Sequence, residues 1–360
     1  MRKRPLVRRE YRLSEKLLLF VRSFTGKVME QQFPFFKEDG VLDLREEEKP
    51  SLSPFPQQMG TEELLKRLKE TELRGYGGAG YPVASKLENF LRSLGEEKGI
   101  LIINAMECDP GLRQDAWLLK ENVKELHRIV KFLKNSLPIR DVYLAHSTEA
   151  PFFDPEIFHN VQLKGFYPAG EQRALVSSLL CKEIPEGVHP SEEGIWVQNL
   201  QTILAIGWSL EARAKSRAIT FLDLDARSSK IVMVPLGMSA GEVVERVTGE
   251  SQTFHIGSGV LEAYRGIATD TIDERIGLIA IGKVAEFPDE RCRGCRQCSA
   301  GCPAGIEIAR LVKAIPSSER LQKALEGCLE CGYCSYICPA GKDLHSLLHE
   351  SLYRVAEVVD

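Results

Sequence analysis

The sequence predicts an α/β protein in three parts: a Rossmann-like domain with a mostly parallel sheet, a small β-grasp module, and a helical domain near the C-terminal end. Apolar strand patterns alternate with helical patterns between residues 99 and 210, which is typical of a parallel sheet. Further short strand patterns, with one helical pattern among them, occupy residues 218–283. The segment after residue 290 holds eight of the ten cysteines.

The length of 360 residues is enough for two or three domains. We predict a basic arm and linker over residues 1–60, the α/β domain over 61–217, the β-grasp module over 218–285 and the helical domain over 286–360. Four prolines and a charged run between residues 33 and 60 predict an extended connector within the first of these ranges.

Charge and hydropathy exclude several classes of function. The formal net charge of −4 gives no bulk attraction to nucleic acid. No apolar run approaches the roughly 20 residues that cross a bilayer, and the first residues lack the pattern of a signal peptide. We therefore expect a cytoplasmic protein without a transmembrane segment and without a nucleic-acid partner.

The cysteines form two runs of identical spacing. Residues 292–303 are CRGCRQCSAGCP and residues 328–339 are CLECGYCSYICP. Each run is C-x2-C-x2-C-x3-C-P, which is typical of bacterial ferredoxins with [4Fe–4S] clusters, where the fourth cysteine ligates the other cluster. We therefore assign one cluster to Cys292, Cys295, Cys298 and Cys338. The second cluster is assigned to Cys302, Cys328, Cys331 and Cys334.

Structural zinc sites and disulfides are the alternatives for these cysteines. Zinc sites usually consist of two C-x2-C pairs with a longer gap between them, whereas here four cysteines lie within eleven residues, twice. Disulfides are disfavoured because cysteines so close in sequence make poor bridges and the chain has no secretory signal. The two runs therefore favour electron transfer.

A glycine-rich segment, LRGYGGAGYPVASKL, occupies residues 73–87. Its glycines are Gly75, Gly77, Gly78 and Gly80. Glycine lets backbone N–H groups approach a ligand closely, and the helical pattern that begins near Val83 would add an N-terminus that favours an anion. Lys86 could contribute a positive charge for a phosphate. The spacing matches neither a Walker loop nor G-x-G-x-x-G, so a tight structural turn is the alternative.

Polar residues follow other predicted strands and turns. Asn104, Glu107 and Asp109 come after a buried strand pattern, where open α/β sheets place ligand sites. Glu171, in the turn YPAGE, stands in the first turn of a helix, and the simple interpretation is a helix cap. Another helix begins near Asn199 and Thr202, which gives a further N-terminus for an anion.

The terminal helical pattern is amphipathic and contains two histidines, His345 and His349. They lie four residues apart, but the metal-binding motif H-E-x-x-H is absent. We expect both to be surface residues.

In this order, the motifs resemble the C subunit of Rnf electron-transport complexes and, more distantly, the flavin-carrying NADH-binding subunit of respiratory complex I. The glycine segment resembles the family's flavin loop G-x-G-G-A-G-[FY]-P-x-x-x-K, and LIINAMECDP resembles its N-[GA]-x-E-x-[DE]-P loop. YPAGEQRALVSSLL and WVQNLQT resemble its Y-P-x-G-E and V-x-N-x-x-T segments. The likeness covers roughly residues 73–340.

The resemblance implies FMN held without a covalent bond, two [4Fe–4S] clusters, and NADH as the reductant. The cofactor-binding residues that it implies are Gly75, Gly77, Gly78, Gly80, Lys86, Asn104, Glu107, Asp109, Gly170, Glu171, Asn199 and Thr202. Asn104 would lie near the isoalloxazine, with Asn199 and Thr202 near the phosphate. Glu107 would lie beside the flavin, while Tyr167 and Glu171, with Gly170, would help to place the nicotinamide.

The implied function is that of an electron-transfer flavoprotein subunit. NADH gives two electrons at once, whereas each cluster accepts one, so a flavin between them explains why one chain needs both. The electrons would pass to a partner reductase in a multi-subunit complex, for example methylenetetrahydrofolate reductase. The segment before residue 73 and the short segment after the clusters differ from the family's usual pattern, and we expect a short soluble member.

Two alternatives use the same residues differently. A relay module that has lost NADH binding would only transfer electrons between partner proteins. A scaffold would use its clusters only to stabilise the C-terminal domain, because metal binding can supply folding free energy.

Overall fold

The computed structural model describes residues 37–45, 55–107, 109, 111–164, 167–185, 187–213, 215–260, 263–282, 291–325, 327–329 and 331–356. The predicted basic arm, up to residue 36, lies outside these ranges. The strands are β1 (Lys37–Asp43), β2 (Gly99–Ala105), β3 (Ile139–His146), β4 (His159–Gln162), β5 (Ile195–Asn199), β6 (Ser216–Asp223), β7 (Ser228–Pro235), β8 (Phe254–Gly257), β9 (Tyr264–Arg265) and β10 (Leu278–Ile281). The α-helices are α1 (Thr61–Glu70), α2 (Val83–Leu94), α3 (Gln114–Glu121), α4 (Val123–Ser136), α5 (Gln172–Leu180), α6 (Leu200–Leu210), α7 (Ala240–Thr248), α8 (Gln297–Ala300), α9 (Ile308–Lys313), α10 (Ser318–Leu325), α11 (Tyr333–Tyr336) and α12 (Leu344–Ala356).

The first sheet contains four strands in the order β4-β3-β2-β5, and every pair is parallel. Strand β2 is apolar on both faces because helices cover both. Leu101 and Ile103 belong to the core that includes residues of α2, α4 and α6, whereas Ile102 packs with Leu175 and Val176 of α5. This arrangement confirms the predicted α/β domain with a parallel sheet.

The second sheet has the order β1-β7-β6-β10-β8-β9. Strands β6 and β7 form an antiparallel hairpin, and β10 lies between β6, to which it is parallel, and β8, to which it is antiparallel. Val243 and Val244 of α7 pack in one core with Ile219, Val232 and Ile279 of this sheet. A hairpin, a crossing helix and a central parallel pair make up the predicted β-grasp module.

Strand β1 differs from the sequence prediction, because residues 37–43 lie within the range that we predicted to be an extended connector. It pairs in parallel with β7, with Val41 opposite Ile231. The segment KEDGVLD has no regular alternation, and six of its seven residues are exposed. Backbone pairing at the sheet edge, rather than side-chain burial, therefore forms this strand, and periodicity could not reveal it.

Helix α6 lies between the two sheets. All residues from Leu200 to Trp208 are buried, as expected of a helix that is apolar on every side. Its core includes Ile103 of the first sheet and Met233 of the second. The side chain of Gln201 accepts a hydrogen bond from Ala218 N (2.9 Å) and donates one to Ala218 O (3.2 Å). The N-terminal end of α6 is thus fixed where the two sheets meet.

The sequence from residue 112 to 133 has one continuous helical pattern, but the structure has two helices in this region, α3 and α4. They are separated at Asn122, whose φ and ψ of −113° and 25° are not helical. The Asn122 side chain donates a hydrogen bond to Leu118 O (3.0 Å), a local bond that competes with helix propagation.

The two cysteine runs have the same local backbone. Arg296 and Gly332, within the second C-x-x-C step of each run, have φ of 60° and 66°, and a four-residue helix follows each of them. Gly305 and Gly341 follow the last cysteines with φ of 67° and 60°. The runs pack on a small apolar core that includes Leu321, Leu325, Leu344 and Leu348. Within the described ranges, no helix combines the length and the apolar character needed to cross a membrane.

Candidate functional site

A cavity of about 540 Å³ opens beside the carboxyl ends of β2 and β5, and its volume is in the range of cofactor pockets. The structure brings together here all the residues that the sequence analysis proposed outside the cysteine runs. They are Gly75, Gly77, Gly78, Gly80, Lys86, Asn104, Glu107, Asp109, Tyr167, Gly170, Glu171, Asn199 and Thr202. The cavity therefore joins segments that are more than 120 residues apart in sequence.

The glycines of the loop fall into two classes. Gly78 and Gly80 have φ of 90° and 61°, so the turn itself requires glycine at these positions. Gly75 and Gly77 have no such requirement, because a Cβ there would meet protein atoms only at ordinary van der Waals distance, 3.4 Å or more. Both line the cavity. The turn alternative accounts for Gly78 and Gly80, whereas a closely approaching ligand accounts for Gly75 and Gly77.

Lys86 lies in the first turns of α2 and is buried. Its Nζ donates a hydrogen bond to Oε1 of Gln172, 2.8 Å away. Burial lowers the pKa of Lys86 to about 8, so the ammonium still predominates at neutral pH. Sequence reasoning missed Gln172, because nothing distinguishes a glutamine at the start of a helix from a solvated one.

The end of β2 is tied to the turn that precedes α5. Asn104 Nδ2 donates a hydrogen bond to Gly170 O (2.8 Å), and Asn104 Oδ1 accepts one from Met106 N (3.0 Å). In the same turn, Oε2 of Glu171 accepts hydrogen bonds from the backbone amides of Arg173 (2.9 Å) and Ala174 (3.0 Å). Glu171 is therefore a helix cap that also borders the cavity.

Two carboxyl groups are buried side by side at the start of α3. Glu107 Oε2 accepts hydrogen bonds from the amides of Asp115 (2.7 Å) and Ala116 (3.0 Å). Burial, with the nearby Asp115 charge, raises the pKa of Glu107 well above its usual value. Burial also raises the pKa of Asp115 to about 6, although Asn199 Nδ2 donates a hydrogen bond to it (2.8 Å). Asp115 belongs to no motif, and sequence reasoning missed it.

The N-terminal end of α6 closes the cavity on the side of the glycine loop. Asn199 caps the helix by accepting a hydrogen bond from Gln201 N (2.8 Å), and Thr202 Oγ1 accepts one from Tyr76 N (2.9 Å). Arg217, missed by sequence reasoning, is fully buried behind the loop, with its guanidinium 5.4 Å from the Tyr76 ring centre. Burial lowers its pKa to about 10, so it remains charged.

The residues of the cavity fit an FMN group. Among the described residues, Asp115 Oδ1 and Gln198 Nε2 are buried without a hydrogen-bond partner, and both side chains line the cavity. Buried polar atoms normally have partners, so these two indicate a polar ligand. The positive end of the α6 dipole and the Lys86 ammonium favour a phosphate.

Seven of the eight cysteines of the two runs fall into two neighbourhoods. The charges of Cys295 and Cys338 act on Cys298, and that of Cys302 acts on Cys331 and Cys334. Each run therefore lies close to the last cysteine of the other, as the crossed assignment requires. Burial is the main cause that raises the pKa of the Cys331 thiol to about 11 and that of Cys334 to about 12.

The same cysteines bear on the two alternatives for the runs. None of the cysteines in the described ranges forms a disulfide. The described residues also contain no group of three or more His, Cys, Asp or Glu side chains arranged around a single metal ion.

The second cysteine run forms part of the cavity wall. Leu329 and Cys331 line it, and the Tyr167 hydroxyl donates a hydrogen bond to Cys331 O at 2.6 Å. The rings of Tyr167 and Tyr333 are stacked with centroids 6.3 Å apart. Cys292 and Cys295 of the first run are exposed. The structure therefore places one run against the cavity, and leaves part of the other accessible.

His345 and His349, which we expected at the surface, are both half-buried. His349 Nε2 lies 3.7 Å from Cys328 Sγ, and its ring centroid is 4.4 Å from that of His345. His345 Nε2 is buried. Helix α12 packs its histidine face on the second cysteine run, a contact that amphipathic periodicity alone does not reveal.

Comparisons with known proteins agree with this geometry. Residues 68–208 match the family model of the Nuo51 FMN-binding domain, and residues 286–339 match that of a 4Fe–4S dicluster domain. The C subunit of the ion-translocating oxidoreductase complex of Yersinia enterocolitica is 28% identical over 261 residues, which are 68% of this chain and 37% of the relative. The corresponding C subunit of Vibrio cholerae serotype O1 is 32% identical over 174 residues, 45% of this chain and 22% of the relative.

Solved structures show the same fold at low sequence identity. A chain of an NAD+-reducing [NiFe]-hydrogenase in the H2-reduced state has a TM-score of 0.59 and 16% identity, and the match covers 96% of this chain and 70% of that one. The air-oxidised state gives a TM-score of 0.57 and 18% identity, with 85% and 64% covered.

The matched region is only part of the curated relatives, at most 37% of the length of the two described above. Within it, both family matches fall where the structure places the cavity and the cysteine runs. The chain therefore resembles the C subunits of ion-translocating oxidoreductase complexes, and a segment that matches the Nuo51 FMN-binding domain precedes one that matches a 4Fe–4S dicluster domain.

Proposed function

We propose that this chain oxidises NADH through FMN and passes single electrons through two [4Fe–4S] clusters to a partner reductase. The observation that carries the proposal is the shared wall, in which Cys331 of a cysteine run and the glycine loop line one cavity. A flavin there would lie next to a cluster. The relatives named as subunits of oxidoreductase complexes support a multi-subunit assembly, and the hydrogenase named as NAD+-reducing supports a nicotinamide substrate.

The bound flavin would supply the change from two-electron to one-electron transfer. The chain's own residues position it. We assign the phosphate to the glycine loop, the N-terminal end of α6 and the Lys86 ammonium, and the polar ring edge to Asn104 and Gln198. Glu107 and Asp115 border the same space, and burial raises the pKa of both carboxyl groups, which favours their protonated forms.

The placement of the two cysteine runs suggests an order for the clusters. The cluster of Cys302, Cys328, Cys331 and Cys334 would receive electrons from the flavin, because its run forms the cavity wall. The cluster of Cys292, Cys295, Cys298 and Cys338 would pass them on, because Cys292 and Cys295 are exposed. Electron transfer between cofactors then runs from the interior of the chain to its surface.

Anaerobic reduction tests the proposal. The full chain is purified without oxygen, supplied with FMN, iron and sulfide, and mixed with NADH in a stopped-flow spectrophotometer. We expect bleaching of the flavin band followed by loss of iron–sulfur absorbance, as with dithionite. If dithionite reduces the flavin while NADH leaves it oxidised, the proposed NADH oxidation is wrong.

A relay module without NADH binding is the second candidate, and the position of Glu171 favours it. Its Oε2 is engaged in capping α5, and its Oε1 is 3.9 Å from Arg173 Nε. Glu171→Gln separates the two functions, because glutamine keeps a capping oxygen but removes the charge. We expect NADH reduction of the flavin to slow in this variant with dithionite reduction unchanged, and the exposed Glu193→Gln to serve as the control. Absence of NADH reduction in the unmodified chain itself would favour the relay, whereas equal NADH rates in both variants would mean that the Glu171 charge does not place the nicotinamide.

A further inference from the structure

The histidine face of α12 offers a hydrogen-bond donor to a cluster ligand. His349 Nε2 lies 3.7 Å from Cys328 Sγ, within the longer range of hydrogen bonds to sulfur. His349 is half-buried, and the neighbouring His345 ring packs against it. The counterpart of Cys328 in the first run is Cys292, which is exposed to solvent. The two runs thus differ in what surrounds their first cysteine.

This difference in surroundings affects how easily each cluster is reduced. A cluster gains one negative charge when it takes up an electron, and burial in a medium of low dielectric constant opposes that charge. A hydrogen bond to a ligand sulfur has the contrary effect, because it stabilises the more negative state and raises the reduction potential.

We propose that His349 donates its Nε2–H to Cys328 Sγ and thereby raises the reduction potential of the cluster held by Cys302, Cys328, Cys331 and Cys334. The inference rests on the proposed function, in which this cluster accepts electrons from the flavin. Each reduction adds one electron to the cluster, and the proton remains on His349 throughout. His349 is a positioning residue for a ligand sulfur and takes no part in hydride transfer. Its hydrogen bond offsets the penalty of placing a cluster in the interior.

The test measures potentials on the full chain reconstituted with iron and sulfide. A titration with dithionite, monitored by electron paramagnetic resonance, should give two one-electron transitions in the unmodified protein. His349→Phe fills the same space without a donor, and we expect one transition to move to lower potential while the other stays in place. His349→Gln retains an N–H donor and should restore part of the shift. His159→Phe, at an exposed position on β4, is the control and should leave both transitions unchanged.

Two further variants keep the result decisive. His349→Leu also lacks a donor, and it replaces the phenylalanine variant if the larger ring prevents cluster assembly. In a Cys338→Ala background, where only the inner cluster should remain, the shift caused by His349→Phe should persist.

The inference is overturned if both donor-free variants leave both potentials unchanged, or if they move both potentials equally. Those outcomes leave the proposed function intact when NADH still reduces the flavin. An unmodified protein that assembles no clusters would instead contradict the proposed function itself.

Discussion

The two cysteine runs have identical spacing and matching backbone conformations, yet their surroundings differ. The second run lies against the cavity, under Tyr167 and beside His349, whereas Cys292 and Cys295 of the first run face solvent. Spacing therefore determines how the cysteines of each run are presented, while tertiary contacts determine what surrounds each run. A sequence repeat here does not imply a functional repeat.

The largest effects should come from replacing the last cysteine of each run, because the two replacements should remove different clusters. Under the crossed assignment, Cys302→Ala removes the cluster next to the cavity, and Cys338→Ala removes the outer one. We expect each variant to lose about half of the iron. The flavin-to-cluster step should disappear only in Cys302→Ala. Iron analysis with stopped-flow absorbance measures both quantities, and an outer-cluster loss in Cys302→Ala would refute the crossing.

The next prediction concerns Asp115, one of the two buried carboxyl groups that border the cavity. Its folded-state pKa of about 6 exceeds the ordinary 3.8, so the native state binds this proton more tightly than the unfolded state. The stability that this proton supplies is present below about pH 4 and is lost as pH rises to about 6, by about 3 kcal/mol at most. Asp115→Asn should flatten that part of the profile. Urea unfolding between pH 4 and 7 measures it, with the exposed Asp39→Asn as the control.

An unchanged pH profile in Asp115→Asn would mean that the buried carboxyl does not titrate in this range. The neighbouring Glu107 carboxyl also has a raised pKa, because of burial and the Asp115 charge. Its contribution should remain in the variant, which makes the expected effect a partial flattening rather than its complete loss.

Two glycines of the loop are expected to have different roles: Gly77 contacts the ligand, and Gly78 permits a backbone conformation that other residues rarely adopt. Gly77→Ala has room against the protein and should leave the free energy of unfolding nearly unchanged, while FMN affinity falls at least tenfold, about 1.4 kcal/mol. Gly78→Ala places a Cβ at a φ of 90° and should cost about 1–2 kcal/mol of folding stability. Fluorescence titration with FMN and urea unfolding distinguish the two. If Gly77→Ala and the unmodified chain bind FMN with equal affinity, the ligand does not contact this position.

The smallest expected effect concerns the contact between the second run and the cavity. Tyr167→Phe removes the 2.6 Å hydrogen bond to Cys331 O and should cost about 1 kcal/mol of unfolding free energy. Tyr264→Phe, at a half-exposed ring, is the control and should have no measurable effect. If the two variants have equal stability, the hydrogen bond does not hold the second run against the cavity.

Much of the fold could be predicted because its signals are local. Strand β2 shows an apolar run, the cysteine spacing encodes a cluster domain, and the glycine loop marks a tight turn before a helix. The resemblance to a known family then indicated which polar residues share one cavity, and the structure brings them together. Their roles toward FMN and NADH remain predictions.

The rest depends on tertiary contacts that leave no periodic trace. Strand β1 is stabilised by pairing with β7, and the inward face of α12 depends on the cysteine run that it packs against. The pKa values of Asp115 and Arg217 are shifted because both side chains are buried between elements that are distant in sequence. Single-sequence reasoning evaluates each segment alone, and these features arise between segments.

The Gln201 side chain, on helix α6, bonds both the backbone N–H and the backbone C=O of Ala218 in β6, as a residue of a neighbouring strand would. These hydrogen bonds, with the core that α6 shares with both sheets, oppose separation of the two sheets. We therefore expect heat or denaturant to disrupt both sheets in one cooperative transition. We also expect a cofactor to enter through the open side of the cavity, without separation of the sheets.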